Sequence, residues 1–465
     1  MKKYRWLASL VIALLTSYAV LRRELWFDEA LTLLNFVLPL ELGQIYFSYI
    51  IPNNQIVYSM LLKVWDLFYC GGVDIVVYWR LLSVVCALGM LAVLAALRQK
   101  IDGRRSFPTF IVLSCMCVSG IFMNYATALR GYALSWLLGA VALYGLYEIF
   151  HQNARRGWLL YAAAALLAVG TVPTNLLMLA AAAVYAIPWM GKKFWRDRRF
   201  YGVMAVIPAA LIIFYAPIAT AFLNTFKLGE GFSSRWGAIE CVLGMYIACF
   251  GLLLIFGLFT LHKQPWQYCL RWSIWLFPAA AILLLHRAPF PRVFVTLLPV
   301  LAMLVIDGTV QLTGRHWNNF HRGVFAITMI CCQILLIPGG YLAAEKLKLS
   351  CYEDDFFHPW YMLPNYRSSQ TAERLVEFSR QGKIVFLSFP ADPLPILFYA
   401  LNKEQLAAGS IRSDVPCNSV KSLPPGAILI LRSDEAPEIY EKRFGGKLQK
   451  HSEHKQHSFY TLSTE

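Results

Sequence analysis

The chain has 465 residues, 58% of them hydrophobic and 15% charged, with a mean hydropathy of +0.52, which excludes an ordinary soluble protein and points to a polytopic membrane protein. The formal net charge is +15. Its basic residues fall in short clusters between apolar runs, as cytoplasmic loops require, so nucleic acid is set aside as a partner.

In chain order, the first apolar run covers residues 6–21 behind Lys2, Lys3 and Arg5. It has the look of a signal peptide, with Ser17-Tyr18-Ala19 as a cleavage site. Arg22 and Arg23 flank it and many further apolar runs follow, so an uncleaved signal anchor is expected. Windows of about 20 apolar residues then predict spans near 74–97, 106–124, 129–150, 158–173, 174–190, 201–222, 237–261, 271–286, 291–307 and 323–343, about eleven in all with the first. The stretch 55–69 is shorter and carries Lys63 and Asp66, which suits a helix lying at the interface.

Loop charge fixes the parity. The basic linkers are 98–105, Arg155-Arg156 and 192–199. All three fall inside if the N-terminus is cytoplasmic and 55–69 does not span, and all three fall outside if it does. The outer face then receives 22–73, the corner 124–130, the corner 172–175, the loop 223–236, the corner 286–292 and everything after about residue 344.

That last part reads as a small α/β domain, dividing the chain into a membrane part, 1–343, and a domain, 344–465. Residues 371–380 form an amphipathic helix ending at Gly382. Residues 383–388 and 427–431 are strands of the buried type, 395–401 looks helical, and 458–462 reads as a last strand. No phosphate loop, dinucleotide fingerprint or internal repeat is visible. Most of the 11 cysteines lie in apolar runs, where a thiol behaves as a small hydrophobe. Cys351 and Cys417 lie in the polar domain, where an extracytoplasmic location permits a disulfide.

The chemistry-bearing residues gather on the outer side. Asp28 and Glu29 follow the first span directly. Acids at such depth are expensive unless solvated or functional, although capping the helix that follows accounts for them as well. Leu31, Leu34 and Leu38 give that helix an apolar face for the interface. Arg130 opens a long apolar run. It either snorkels to water or presents its guanidinium to phosphate oxygens. The same two readings apply to Arg287 and Arg292 at a proline-rich corner. Asn53, Tyr58, Arg80, Tyr132 and Asn175 are weaker pocket candidates, and Asn53 equally suits a turn.

Several of these residues sit in a recognisable order. Leu25-Trp26-Phe27-Asp28-Glu29-Ala30 resembles the first-loop signature of GT-C membrane glycosyltransferases of the protein O-mannosyltransferase and aminoarabinose-transferase type. Tyr78-Trp79-Arg80-Leu81-Leu82-Ser83 is similar to that family's Arg-Leu-Pro-Ser stretch, and 128–134 to its Glu-Ala-Arg-Met-Tyr-Ala-Leu. Pro291-Arg292-Val293 with Pro299 is similar to its late Pro-Arg-Tyr and Leu-Pro. The likeness covers roughly the first 190 residues and the late arginine corner.

The resemblance implies a GT-C transmembrane domain with a juxtamembrane first loop and an extracytoplasmic C-terminal domain, in a bacterial inner membrane. It implies inverting transfer of a sugar from a polyprenyl-phosphate donor to a hydroxyl on a lipid, glycan or protein acceptor. Asp28 is then the general base, Glu29 a supporting or cation-binding acid, and Arg130, Arg287 and Arg292 stabilise the departing phosphate. A divalent metal cation near Asp28 or Glu29 occurs in parts of the family, with no further ligand set readable here. Asn53-Asn54-Gln55 replaces the family's His-Pro-Pro and Thr174-Asn175 its His-Tyr, so any contact to acceptor or metal that either histidine makes in relatives is absent or altered in this chain.

Two rivals belong to other classes. A ligase or polymerase using a diphosphate-linked lipid also places arginines outside, but leaves the acid pair after the first span unexplained. A lipid or glycan transporter predicts ionisable groups at the bilayer midplane and repeated halves. A topology reporter fused after Arg105 is expected to report the cytoplasm; an outside signal would make 55–69 a span and reverse the parity.

Overall fold

A computed structural model of the chain describes residues 5–49, 54–103, 107–151, 153–192, 194–228, 234–258, 265–284, 289–313, 319–347, 368–388, 393–403, 423–424, 426–433, 435–454 and 457–463. The molecule is mostly helical with one small sheet, and it divides into two compact units. One comprises Met1–Arg22 with Leu40–His358, the other Arg23–Pro39 with Pro359–Glu465. The sequence boundary at 343/344 leaves 23–39 with the membrane part, whereas in the structure this segment packs with the C-terminal residues.

In the larger unit the helices run α1 (Arg5–Leu21), then, after the first-loop helix α2 (Phe27–Thr32) of the smaller unit, α3 (Leu42–Phe47), α4 (Ile56–Asp66), α5 (Ile75–Asp102), α6 (Phe107–Cys117) and α7 (Gly120–Ala126). They continue as α8 (Tyr132–His151), α9 (Ala154–Thr171), α10 (Asn175–Met190), α11 (Arg198–Tyr215), α12 (Ala219–Leu228), α13 (Arg235–Phe250), α14 (Leu253–Leu258), α15 (Pro265–Leu284), α16 (Leu298–Thr313) and α17 (Asn319–Leu347). A 3₁₀ segment, Pro291–Leu297, leads into α16.

Among the described residues four stretches are long and apolar enough to cross a membrane: Ile75–Asp102, Tyr132–His151, Arg198–Asn224 and Pro291–Thr313. The run expected at 106–124 is broken. Ser119 caps a new helix through its hydroxyl to the Phe122 amide, and α6 and α7 meet at a bend of 74°; counted as one span they make a fifth. The run expected at 237–261 stops at Gly251, whose φ is +53°. Residues 175–190 form a shorter apolar helix.

Burial separates centre from rim. The apolar window of Pro291–Thr313 is 83% buried inside the protein and that of Arg198–Asn224 only 22%. The rim helices carry exposed apolar side chains, among them Leu15, Ile212, Ile213, Leu284, Ile327 and Leu335. Exposed apolar side chains on long apolar helices are compatible with contact to lipid.

At the centre α8 packs against α5, α9, α10 and α16. Trp136 of α8 stacks on Phe122, ring centroids 5.6 Å apart, and donates its indole N–H to the Val295 carbonyl at 2.7 Å. Thus the segment that carries Arg292 is pinned to the bundle core. At the far end of α16, Asp307 accepts from Arg98 Nη1 at 2.5 Å, Arg271 Nη2 at 2.7 Å and the Tyr185 hydroxyl at 3.0 Å, tying four helices together.

In the smaller unit α2 is continued by a π-helical turn, Leu33–Val37. The C-terminal elements are α18 (Ser368–Arg380), β1 (Val385–Leu387), α19 (Pro393–Lys403), β2 (Ile428–Arg432), α20 (Pro437–Phe444), β3 (Lys447–His454) and β4 (His457–Ser463). The strand order is β1-β2-β4-β3, with β1 and β2 parallel and the other pairings antiparallel. Parallel neighbours need a crossover, and α19 lies in it. Strand alternation sends Val385, Leu387, Ile428, Ile430 and Phe459 to one face with Leu375 and Ile396. Phe386, Leu429, Leu431 and Tyr460 go to the other. The first-loop residue Leu34 packs on the former cluster. Cys351 and Cys417 lie outside the described residues.

The tightest helix contact is between α8 and α9. A Cβ on Gly157 would lie 2.6 Å from the Ile149 amide nitrogen and 2.8 Å from the Gly145 carbonyl oxygen, whereas one on Gly43 would meet nothing within 4 Å. Backbone cannot yield as a side-chain tip can, so Gly157→Ala is expected to cost about 1–3 kcal/mol. Thermal unfolding in detergent checks this, with Gly43→Ala melting as the wild type does.

Candidate functional site

The acid loop is built by local polar pairing. After α1 ends at Leu21, residues 23–26 run without helix and Trp26 serves as N-cap of α2. Glu29 is the third helical residue. Its Oε2 accepts from the Trp26 backbone N–H at 3.2 Å, the back-reaching half of a capping box. Its Oε1 accepts from Arg23 Nη2 at 3.1 Å, and both side chains are buried, 4% exposed for Arg23 and 0% for Glu29. The Arg23 guanidinium lies 5.6 Å from the Trp26 ring centroid, a cation–π distance.

Asp28 occupies the same first turn but is only half-buried, and its backbone carbonyl accepts from the Thr32 hydroxyl at 2.9 Å. The two acids therefore differ in kind. Glu29 holds the loop together, and Asp28 is the half-buried one of the two, with its Oδ2 enclosed by protein.

The basic candidates lie in the larger unit. Arg130 sits at the turn before α8 and is 3% exposed. The peptide that follows it is held at both ends. The Gly131 N–H donates to Gln55 Oε1, and the Gly131 carbonyl accepts from the Ser135 hydroxyl at 2.8 Å. Asn175 Nδ2 donates in turn to Ser135 Oγ at 2.8 Å and to the Ala168 carbonyl at 2.7 Å. Gly131 has to be glycine, because a Cβ there would run into Thr171 Cγ2 and come within 3.2 Å of Tyr58 Cβ.

The other predicted residues are placed as follows. Tyr58 is fully buried, its hydroxyl 2.8 Å from Ser83 Oγ, and Ser83 donates to the Ala128 carbonyl at 2.5 Å. Tyr132 packs edge-on against Tyr125, centroids 4.8 Å apart. Arg80 is fully buried and donates from Nη1 to the Leu21 carbonyl at 2.8 Å, satisfying a carbonyl at the end of α1. Arg292 is half-buried, 4.7 Å from the Phe290 ring centroid. Asn53 and Arg287 lie outside the described residues.

Tyr58 and Asn175 thus gather around the Arg130–Gly131 turn, while Arg80 belongs to the end of α1. Arg23 and Ser135 are the partners that the sequence does not single out. Arg23 reads as a span flank, and Ser135 as one more small residue in an apolar run.

A divalent cation at Asp28 and Glu29 has little to hold it. Both Glu29 oxygens already accept from protein donors, and no cluster of three His, Cys, Asp or Glu side chains suited to a metal occurs among the described residues. Compared with family models, with curated proteins and with solved structures, the chain matches none.

Breaking a buried ion pair from one side leaves an uncompensated charge. Glu29→Gln, which strands Arg23, is therefore expected to destabilise the smaller unit by about 3–5 kcal/mol. Membrane abundance and thermal unfolding read this out, and Asp28→Asn should leave both near wild type.

Proposed function

We propose that the chain is a GT-C-type integral-membrane glycosyltransferase, with about eleven spans, that moves a sugar from a polyprenyl-phosphate donor to an acceptor hydroxyl on the extracytoplasmic side of a bacterial inner membrane. The observation that carries this reading is the separation of the two first-loop acids: Glu29 is paired and buried, and Asp28 beside it is left partly exposed. A general base needs access to the proton it takes. The motif order around Asp28, Arg80, Arg130 and Arg292 supports the same class.

In the reaction, Asp28 accepts the proton of the acceptor hydroxyl as its oxygen forms a bond to the anomeric carbon. The bond from that carbon to the lipid phosphate breaks, its electron pair leaves with the phosphate oxygen, and the anomeric configuration inverts. A phosphate leaving group needs charge stabilisation more than a proton, and Arg130, Arg287 and Arg292 supply it. The acceptor is a lipid, glycan or protein that carries the hydroxyl.

Mass spectrometry of lipid, glycan and protein fractions from a deletion strain identifies the sugar that is lost. Wild-type protein should restore it, and Asp28→Asn at equal membrane abundance should restore under about 1% of it, the low end of a 10²–10⁴-fold base contribution. Restoration near the wild-type level by a well-folded Asp28→Asn protein would overturn the assignment.

A further inference from the structure

The segment that bears Asp28 is fixed by residues more than 300 positions away in the chain. The Glu24 carboxylate accepts from the Ser369 hydroxyl at 2.8 Å and from the Ser369 backbone N–H at 3.3 Å. Ser369 lies in the first turn of α18, where backbone N–H groups have no partner within the helix and favour an anion. The next residue continues the tie, for the Leu25 N–H donates to the Tyr399 hydroxyl oxygen of α19 at 3.1 Å. Leu25 and Trp26 are buried. Beyond Asp28, Leu34 packs into the cluster formed by α18, α19 and the sheet. Asp28 thus lies between two anchors, with a rigid capped turn in between.

Resting on the reading of Asp28 as the base, we propose that Ser369 and Tyr399 are positioning residues for it, so that the C-terminal domain sets the place of the catalytic acid. Neither side chain needs to touch substrate. Each holds a backbone or carboxylate group within four residues of Asp28 on its N-terminal side. An acid displaced by about 1 Å can lose on the order of 10²-fold in rate, so loosening either tie should reduce turnover before it reduces folding. Tyr399→Phe is the sharpest variant, because it keeps the ring in the core and removes only the oxygen that accepts from Leu25.

The test uses full-length protein in lipid nanodiscs for hydrogen exchange and thermal unfolding, and the deletion strain for product formation at matched membrane abundance. Tyr399→Phe is expected to raise exchange across residues 23–37 by about three- to tenfold, as the loss of one hydrogen bond allows. Exchange across 132–151 and the melting temperature should stay as in the wild type. The rate at which the lost glycan reappears should fall by at least the same factor. Ser369→Ala should behave likewise, and Ser369→Thr, which keeps the hydroxyl, should recover the wild-type rate. Wild-type exchange in both Tyr399→Phe and Ser369→Ala would overturn the proposal, as would raised exchange at an undiminished rate. If Asp28→Asn itself restores the glycan, the base assignment fails instead, a result that the exchange data on the tether leave separate.

Discussion

The smaller unit depends on one buried ion pair. Arg23 and Glu29 have both left water, and an ion removed from water costs several kcal/mol unless its partner and its remaining hydrogen bonds make good the loss. Here they do. Glu29 satisfies the orphan amide at the start of α2, and Arg23 lies over Trp26. The pair closes the non-helical link between α1 and α2 into a defined loop. It also sets the two acids apart: Glu29 is fully buried in the pair with Arg23, and Asp28 beside it is half-buried.

A second buried polar arrangement does for Arg130 what the ion pair does for Asp28. Gln55 accepts from the Gly131 N–H, Ser135 donates to the Gly131 carbonyl, and Asn175 in turn donates to Ser135, so three different helix regions are linked at this turn. Inside an apolar bundle each of these side chains would be costly without a partner. Because the bonds join, the turn has one conformation. The residue after Arg130 is therefore held through both its N–H and its carbonyl. The Asn175 amide suits this structural use, since it supplies the two N–H donors that Ser135 and Ala168 accept.

Much of the architecture was legible because hydrophobic length is a strong signal. The central helices at 74–97, 129–150 and 291–307 appear as predicted, and so do the buried strands at 383–388 and 427–431, whose apolar runs need no alternation to be recognised. The break at Ser119 was not legible, because a capping serine inside an apolar run leaves hydropathy almost unchanged. Neither α20 nor β3 was found. Both are polar, and β3 is an edge strand that contributes only Leu448 to the core, so it shows no alternation. At the site, Asp28, Glu29 and Arg130 stood out as ionisable residues in costly places. Arg23, Ser369 and Tyr399 did not, because their importance lies in partners that only tertiary structure brings near.

The charges of the larger unit bear on whether the chain moves a solute or holds one. In α16 the residues from Leu298 to Ile306 are all uncharged, with Arg292 before them and Asp307 after. Asp307 is enclosed by Arg98, Arg271 and Tyr185, and Arg98 also pairs with Asp102 at 2.8 Å. Two arginines and two aspartates cancel, so this end of the helix carries no surplus charge to bind or relay an ion. A transport pathway places its ionisable groups along the route and lets them change partners. A cluster whose charges are matched across three helices instead resists rearrangement, because separating any pair leaves a largely buried charge without its partner. The matched charges thus make this part of the bundle a fixed tie between α5, α10, α15 and α16.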